Sequence, residues 1–288
     1  MQNPPLCAIW VVTYNQKKFI AQTLVSILQQ KTEFPFKIYI GDDCSTDGTR
    51  EICVQFKEAH PGIIELVFNS VNLMNLNSAN VYKACFTSGA RYTAMCEGDD
   101  YWNDPYKLQK QVSFLETHDS YVGCFHNTEE RYENDEVKAS FLYCGYQDAR
   151  EFSFRDIAYG NIIPTCSVVF RNNLFGEFPA WYPKLKMGDW PLHLLNAQFG
   201  NFWYMPKIMS VHRLHKASTW MLQDAEKNNR FIEEAYDAMI GGFAGYPEHA
   251  ACLVEGKKHF LEQIHRAKKR AGVKAKVKDI MIRQIRKL

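Results

Sequence analysis

Twice within its first 70 residues the chain passes from a short apolar run to an amphipathic stripe and back, and few architectures accept that alternation. Leu6 to Thr13, "LCAIWVVT", is continuously apolar and of strand length, the pattern of a strand covered on both faces. In the segment that follows, Ile20, Leu24, Ile27 and Leu28 recur at helical spacing and define one stripe. "FKIYIG" then reads as a second strand and "STDGTREICVQFKEAH" as a helix capped by Ser45 or Asp47. "IIELVF" reads as a third strand. Repeated β-α units of this length imply an α/β fold, with a largely parallel sheet between two layers of helices.

The alternation continues through a helix expected over Ser78 to Ser88 and a strand, "RYTAMC". A helix carrying Leu108, Val112 and Leu115 then follows "NDP", where Asn103 or Asp104 serves as cap and Pro105 lies in the first turn. After Asp119 the pattern loosens. "YVGCFHN" and "TCSVVF" read as strands, "SFRDIAYGN" and "DWPLHLLNAQFG" as helices, and the chain from about Ser218 as helical. "GGFAGYP", Gly241 to Pro247, is the clearest break. A body over residues 1–220, with halves at about 1–120 and 121–220, and an extension over 221–288 are the expected units.

Charge is unevenly spread. From Glu255 onward there are twelve Lys and Arg against three Asp and Glu, although the 288-residue chain carries a formal charge of only +2. The basic tail reads as a helical pair in which Val277, Ile280, Met281 and Ile285 share a face, suited to an anionic membrane surface or to docking on the body. No recognisable nucleic-acid module accompanies that charge, so no nucleic-acid partner is expected. No apolar run approaches the roughly 18 residues of a membrane span, and no signal peptide opens the chain. The expected location is the cytoplasm, with a peripheral position on the inner membrane face open through the tail. Nine cysteines without a C-x-x-C pair, mostly in apolar contexts, read as buried free thiols rather than disulfides or zinc ligands.

In such sheets ligands bind beyond the carboxyl ends of the strands. Thr13–Asn15, Asp42–Ser45 and Glu97–Asp100 all follow strands and should converge on one edge. Neither G-x-G-x-x-G nor G-x-x-x-x-G-K-[ST] is present, which argues against hydride transfer and ATP hydrolysis. The stretch "CEGDDYW" concentrates Glu97, Asp99 and Asp100, hard oxygen ligands of the kind that Mg²⁺ or Mn²⁺ takes together with substrate phosphates. Asp42 and Asp43 are suited to accept hydrogen bonds from a nucleobase N–H and ribose hydroxyls.

"TYN", "GDDCSTDGT", "CEGDDYW" and "MGDW", in this order, resemble the family 2 glycosyltransferases of the GT-A fold over about residues 6–220. The resemblance implies a Rossmann-like GT-A domain with a helical C-terminal extension. It also implies a metal-dependent, inverting transfer from a nucleotide diphosphate sugar, UDP-linked by first choice, to a saccharide or lipid-linked saccharide acceptor, in cell-surface polysaccharide or glycolipid synthesis. Under it Thr13, Tyr14 and Asn15, with Asp42 or Asp43, hold the nucleotide. Glu97, in place of the first Asp of an acidic D-x-D motif, turns toward ribose or a bound water. Asp99 is the metal ligand for Mn²⁺ or Mg²⁺, with Asp100 in support and His215 as a third ligand. Arg213 or His215 is placed to bind diphosphate oxygens.

Asp189, before a helix, is either that helix's N-cap or, as the resemblance implies, the general base for the acceptor hydroxyl. No separate nucleophile is evident, which fits direct displacement with inversion, an α-linked donor giving a β-linked product. Asn72, Asn75, Asn77 and Lys83 fall in a polar loop, and Tyr101, Trp102, Trp181 and Trp190 lie near the motifs as sugar-stacking or core residues. Two other readings compete. A nucleotidylyltransferase would need a Gly-rich basic first loop, which "TYNQKKF" lacks, and a non-catalytic sugar-nucleotide-binding or membrane-associated scaffold would leave Glu97, Asp99 and Asp189 without employment.

Overall fold

A computed structural model describes residues 4–132, 140–215 and 224–285, with side chains left undescribed at 75, 140–141 and 271–285. In chain order the elements are β1 Cys7–Thr13, α1 Ile20–Leu28, β2 Phe36–Asp42, α2 Thr49–Ala59, β3 Ile64–Leu66, α3 Asn75–Phe86, β4 Tyr92–Glu97, β5 Tyr101–Trp102 and α4 Lys107–Thr117. The second half adds β6 Tyr121–Tyr132, β7 Ser140–Leu142, β8 Arg150–Phe152, α5 Phe154–Ala158, β9 Val169–Arg171, α6 Asp189–Ala197, β10 Asn201–Leu214, α7 Ala225–Gly242 and α8 Pro247–Ile285.

One mixed sheet runs β3-β2-β1-β4-β9-β6-β10-β5, with β7 on β6 and β8 on β10. The half from β3 to β4 is parallel, as the alternation predicts; β9 then enters antiparallel between β4 and β6. Side chains of β1 alternate between two cores. Cys7, Ile9 and Val11 pack with Ile20, Leu24 and Ile27 of α1 and with Leu108, Val112 and Leu115 of α4. Ala8 and Trp10 pack on the other face with α3, α5, α6 and the extension. Both faces are thus covered, which is why the strand reads as an unbroken apolar run.

Several local expectations shift. Thr165–Ser167 of "TCSVVF" is a 3₁₀ turn, leaving only Val169–Arg171 as strand. Neither Ser45 nor Asp47 is the N-cap of α2; that position is Gly48 at φ 103°, and Asp47 accepts the N–H of Thr49 at 3.0 Å. Asp104 likewise is no cap of α4 but accepts the Tyr106 N–H at 2.8 Å. The tail, expected as two helices, is one continuous α8, since a lone Gly272 costs a helix only about 1 kcal/mol. The apolar face read from Val277 to Ile285 and the unit boundary near residue 220 lie outside what the structure describes.

The extension is seated on the body. Tyr236 Oη donates to the Ala158 carbonyl at 3.0 Å, and Gly256 lies so close that a Cβ there would sit 2.1 Å from the same oxygen. Ala235, Tyr236, Met239, Phe243 and Leu253 complete the second core. Among the described residues no helix is long and apolar enough to cross a membrane.

Candidate active site

Register brings the three expected loops together: Thr13 pairs with Asp42 across β1 and β2, and Val12 with Glu97 across β1 and β4. The first two loops are strapped to each other. Asn15, in the left-handed region at φ 51°, donates its N–H to Ser45 Oγ at 2.9 Å and accepts the Thr46 N–H at 2.9 Å. Gln16 and Lys17 donate to Thr49 Oγ1 and Asp47, at 2.8 and 3.0 Å. Thr13 is buried, its hydroxyl spent on Gln16 Oε1 at 2.7 Å, whereas Tyr14 is exposed.

Asp42 is fully buried, ion-paired to Arg50 at 2.7 Å and accepting the Ser45 N–H at 3.1 Å. Its Oδ2 thus anchors the loop from inside, while Oδ1 is buried without a hydrogen-bond partner. Asp43 is also buried, accepting the N–H groups of Leu73 and Met74 at 2.7 and 2.8 Å and Asn69 Nδ2 at 3.1 Å. It therefore holds the polar loop, where Asn77 in turn donates to the Gly41 carbonyl at 3.0 Å.

The acidic loop is tied down from α1. Thr23 Oγ1 donates to the carbonyls of Gly98 and Asp100 at 2.9 and 2.6 Å, and Ser26 Oγ accepts the Trp102 N–H at 3.1 Å. Gly98 is required by closeness: a Cβ there would lie 2.4 Å from Gln16 Oε1 and 2.7 Å from Thr13 Cβ. Asp99 Oδ2 and His215 Nε2 meet at 3.0 Å, with the His215 ring tilted against that of Phe19, their centroids 4.5 Å apart. Asp100, expected to support a metal, is instead buried and accepts the Arg213 N–H at 2.9 Å, and burial pushes its carboxyl up to about 6. Arg213 is buried too. Its guanidinium, expected at a diphosphate, donates to the Asp99 carbonyl and to Gln22 Oε1 and lies over the rings of Phe19 and Tyr101, which ties the acidic loop to α1.

Glu97 is partly exposed; burial and the neighbouring carboxylates of Asp99, Asp100 and Asp189 raise its pKa well above the usual range. Asp189 therefore shares one electrostatic field with the acidic loop, though about 90 residues separate them in sequence. A counter-charge stands nearby at His212, 3.4 Å from Glu130. Burial opposes its charged form, but Glu130, Asp100 and Glu97 outweigh that, and its pKa rises to about 9.

Asp189 is not an N-cap. It is the first residue of α6, and the N-cap position belongs to Gly188. Its Oδ2 accepts Asn161 Nδ2 at 2.5 Å and Thr165 Oγ1 at 3.4 Å. One turn on, His193 is buried, and burial pushes its pKa down to about 4 against the pull of Asp189, so it is neutral. Trp102 and Trp190 are core residues, their indole N–H groups given to the carbonyls of Cys166 and Ile157. Gln16, Gln22, Asn161, Thr165 and Glu130 escape a reading from sequence, since no local pattern marks residues whose partners lie far along the chain.

A family model for glycosyl transferase family 2 matches residues 8–175, the span holding the strapped loops and the acidic cluster. The chain belongs to that family. A Mycobacterium tuberculosis protein, itself uncharacterized, is 30% identical over 277 residues, covering 93% of this chain and 78% of its own. Among solved structures, Staphylococcus aureus TarS in complex with UDP-GlcNAc aligns at TM-score 0.62 and 18% identity over 87% of this chain and 72% of its own. The Pyrobaculum calidifontis mannosyltransferase PcManGT, in complex with GDP-Man and Mn²⁺, aligns at 0.57 and 15% over 92% and 76%. At these identities the two structures establish a shared GT-A fold. As a family 2 glycosyltransferase the chain is no nucleotidylyltransferase.

Proposed function

We propose that this glycosyltransferase moves a sugar with inversion from a UDP-sugar to a hydroxyl of a saccharide or lipid-linked saccharide, in cell-surface polysaccharide or glycolipid assembly. The observation that carries the reading is the convergence of the three loops on one sheet edge, where Asp99 and His215 meet at 3.0 Å. Asp189 takes the proton of the acceptor hydroxyl as its oxygen bonds to the anomeric carbon and the nucleoside diphosphate departs. Glu97 turns toward the ribose, and the exposed Tyr14 borders the nucleotide. The choice of UDP rests on the complex of TarS with UDP-GlcNAc, the donor side of PcManGT being a guanosine nucleotide.

Asp99 and His215 fit a hard divalent cation: a carboxylate oxygen and an imidazole nitrogen meet at 3.0 Å beside the loop. Among the described residues no third ligand-type side chain joins them, which leaves positions for phosphate oxygens and water, as Mn²⁺ and Mg²⁺ prefer. Such a cation, when bound, neutralises the charge that develops on the diphosphate. Replacing Asp99 with Ala is expected to weaken Mn²⁺-dependent binding of UDP about tenfold or more in calorimetry. Equal affinity with and without Mn²⁺ in the unmodified protein would refute the assignment.

The tail serves, in this reading, as a peripheral membrane contact. Ile240, Val254 and Leu261 line a groove of about 840 Å³ between α7 and α8 that is edged by Lys257, Lys258 and Arg266. Deleting the residues after Val273 should reduce co-flotation with vesicles containing anionic lipid, and undiminished flotation would remove the membrane role.

A further inference from the structure

We propose that Asn161 is the positioning residue of the general base, fixing which oxygen of Asp189 receives the acceptor's proton. The inference rests on the assignment of Asp189 as that base. Asn161 lies in the connection between α5 and the Thr165–Ser167 turn, and Thr165 belongs to that turn. Both donors reach the same atom: Asn161 Nδ2 stands 2.5 Å and Thr165 Oγ1 3.4 Å from Asp189 Oδ2. An oxygen engaged by two donors has its lone pairs occupied and its basicity lowered. Oδ1 is therefore the oxygen left for the substrate.

A second, independent feature points the same way. Asn161 Oδ1 is buried and has no hydrogen-bond partner. Leaving a buried amide oxygen unpaired costs about 1–3 kcal/mol, so such a group in a native fold calls for a reason. Turning the amide over would not remove the problem; it would set its oxygen against the Asp189 carboxylate. The orientation that leaves Oδ1 orphaned is the one that delivers an N–H to Asp189. A residue placed only for packing has no need of that arrangement.

The step then balances as follows. The acceptor hydroxyl transfers its proton to Asp189 Oδ1 while its oxygen bonds to the anomeric carbon. The bond from that carbon to the diphosphate oxygen breaks, and its electron pair leaves with the nucleoside diphosphate. Asn161 touches neither sugar; it acts through Asp189, holding one carboxylate oxygen and so aiming the other.

The test uses the full chain with Mn²⁺ and the sugar nucleotide that raises its melting temperature most. Release of nucleoside diphosphate to water is followed for wild type, Asn161→Ala, Asn161→Asp and Asp189→Asn. Asn161→Ala is expected to lower kcat about ten- to a hundredfold, with the KM for donor within about twofold of wild type. Asn161→Asp keeps the shape but exchanges the donor for an acceptor, and should be slower still. It carries the test if the Ala variant fails to fold. Wild-type kcat in the Asn161 variants, beside an inactive Asp189→Asn, would overturn this inference alone. An Asp189→Asn enzyme as fast as wild type would overturn the base assignment, and this inference with it.

Discussion

Replacing Asp189 with Asn is expected to lower transfer about a thousandfold or more while leaving the affinity for sugar nucleotide within about twofold. The substituted amide is almost the same shape, so α6 and its packing should be undisturbed. What changes is the chemistry at two atoms. The amide oxygen would remain with the Asn161 and Thr165 donors that now hold Oδ2, and the NH₂ would replace the oxygen that should accept a proton. A hydrogen-bond donor would then face the attacking hydroxyl, which loses its base and gains a competitor. Calorimetric titration with donor and Mn²⁺, beside a single-turnover assay, separates the two quantities. Parallel loss of binding and turnover would make Asp189 a structural residue. Undiminished turnover would leave the base unidentified.

A second large effect is expected in stability. Lys107 is fully buried at the start of α4, and its Nζ has no hydrogen-bond partner. Its one evident compensation is the face of Trp102, whose centroid lies 4.2 Å away. Cys7, Cys96, Cys124 and Cys166 surround it with thiols, and burial lowers its pKa from 10.5 to about 8. Below pH 8 the lysine is charged both in the folded and in the unfolded chain, and the folded state carries the whole penalty of about 3 kcal/mol. Between pH 8 and 10.5 the folded chain gives up the proton first, so this penalty shrinks and stability rises with pH.

Lys107→Met keeps the length of the side chain and removes the charge. After allowing about 1 kcal/mol for the lost contact with Trp102, the variant should be about 1–3 kcal/mol more stable than wild type at neutral pH. That advantage should fade as pH climbs from 8 to 10.5. Denaturant melts of both proteins across that range give the difference, in which the titrations of groups remote from Lys107 cancel. A variant less stable than wild type at pH 7 would mean that the ammonium has a partner the static structure does not reveal.

The parallel half of the fold was legible because its strands are buried on both faces and its helices carry stripes with clear spacing. The second half was harder to read. β9 is three residues long and enters antiparallel, and β10 runs 14 residues through polar and apolar positions alike, so neither has a periodicity to follow. At the site, sequence identified the residue types and the edge where they gather. It did not show which carboxylates would be consumed inside. Asp42 and Asp43 look alike in "GDDCS", as do Asp99 and Asp100 in "EGDDY", but successive residues point in different directions. Arg50 and the Arg213 N–H claim Asp42 and Asp100, while Asp99 is left for His215. Such allocation depends on partners 8 to 116 positions away. Asn161 was invisible for the same reason: nothing in "YGNIIPT" hints that its amide reaches Asp189, 28 positions along the chain.

The straps between Asn15, Gln16 and Lys17 and the segment from Ser45 to Thr49 bear on how selective such an enzyme is. Four cross-links over so few residues make the two loops one body, whose conformational freedom is surrendered when the chain folds rather than when a ligand arrives. A nucleoside docking there meets a contour that does not mould itself around its guest. In the proposed reading, discrimination among bases at this edge then follows from fit to a fixed shape.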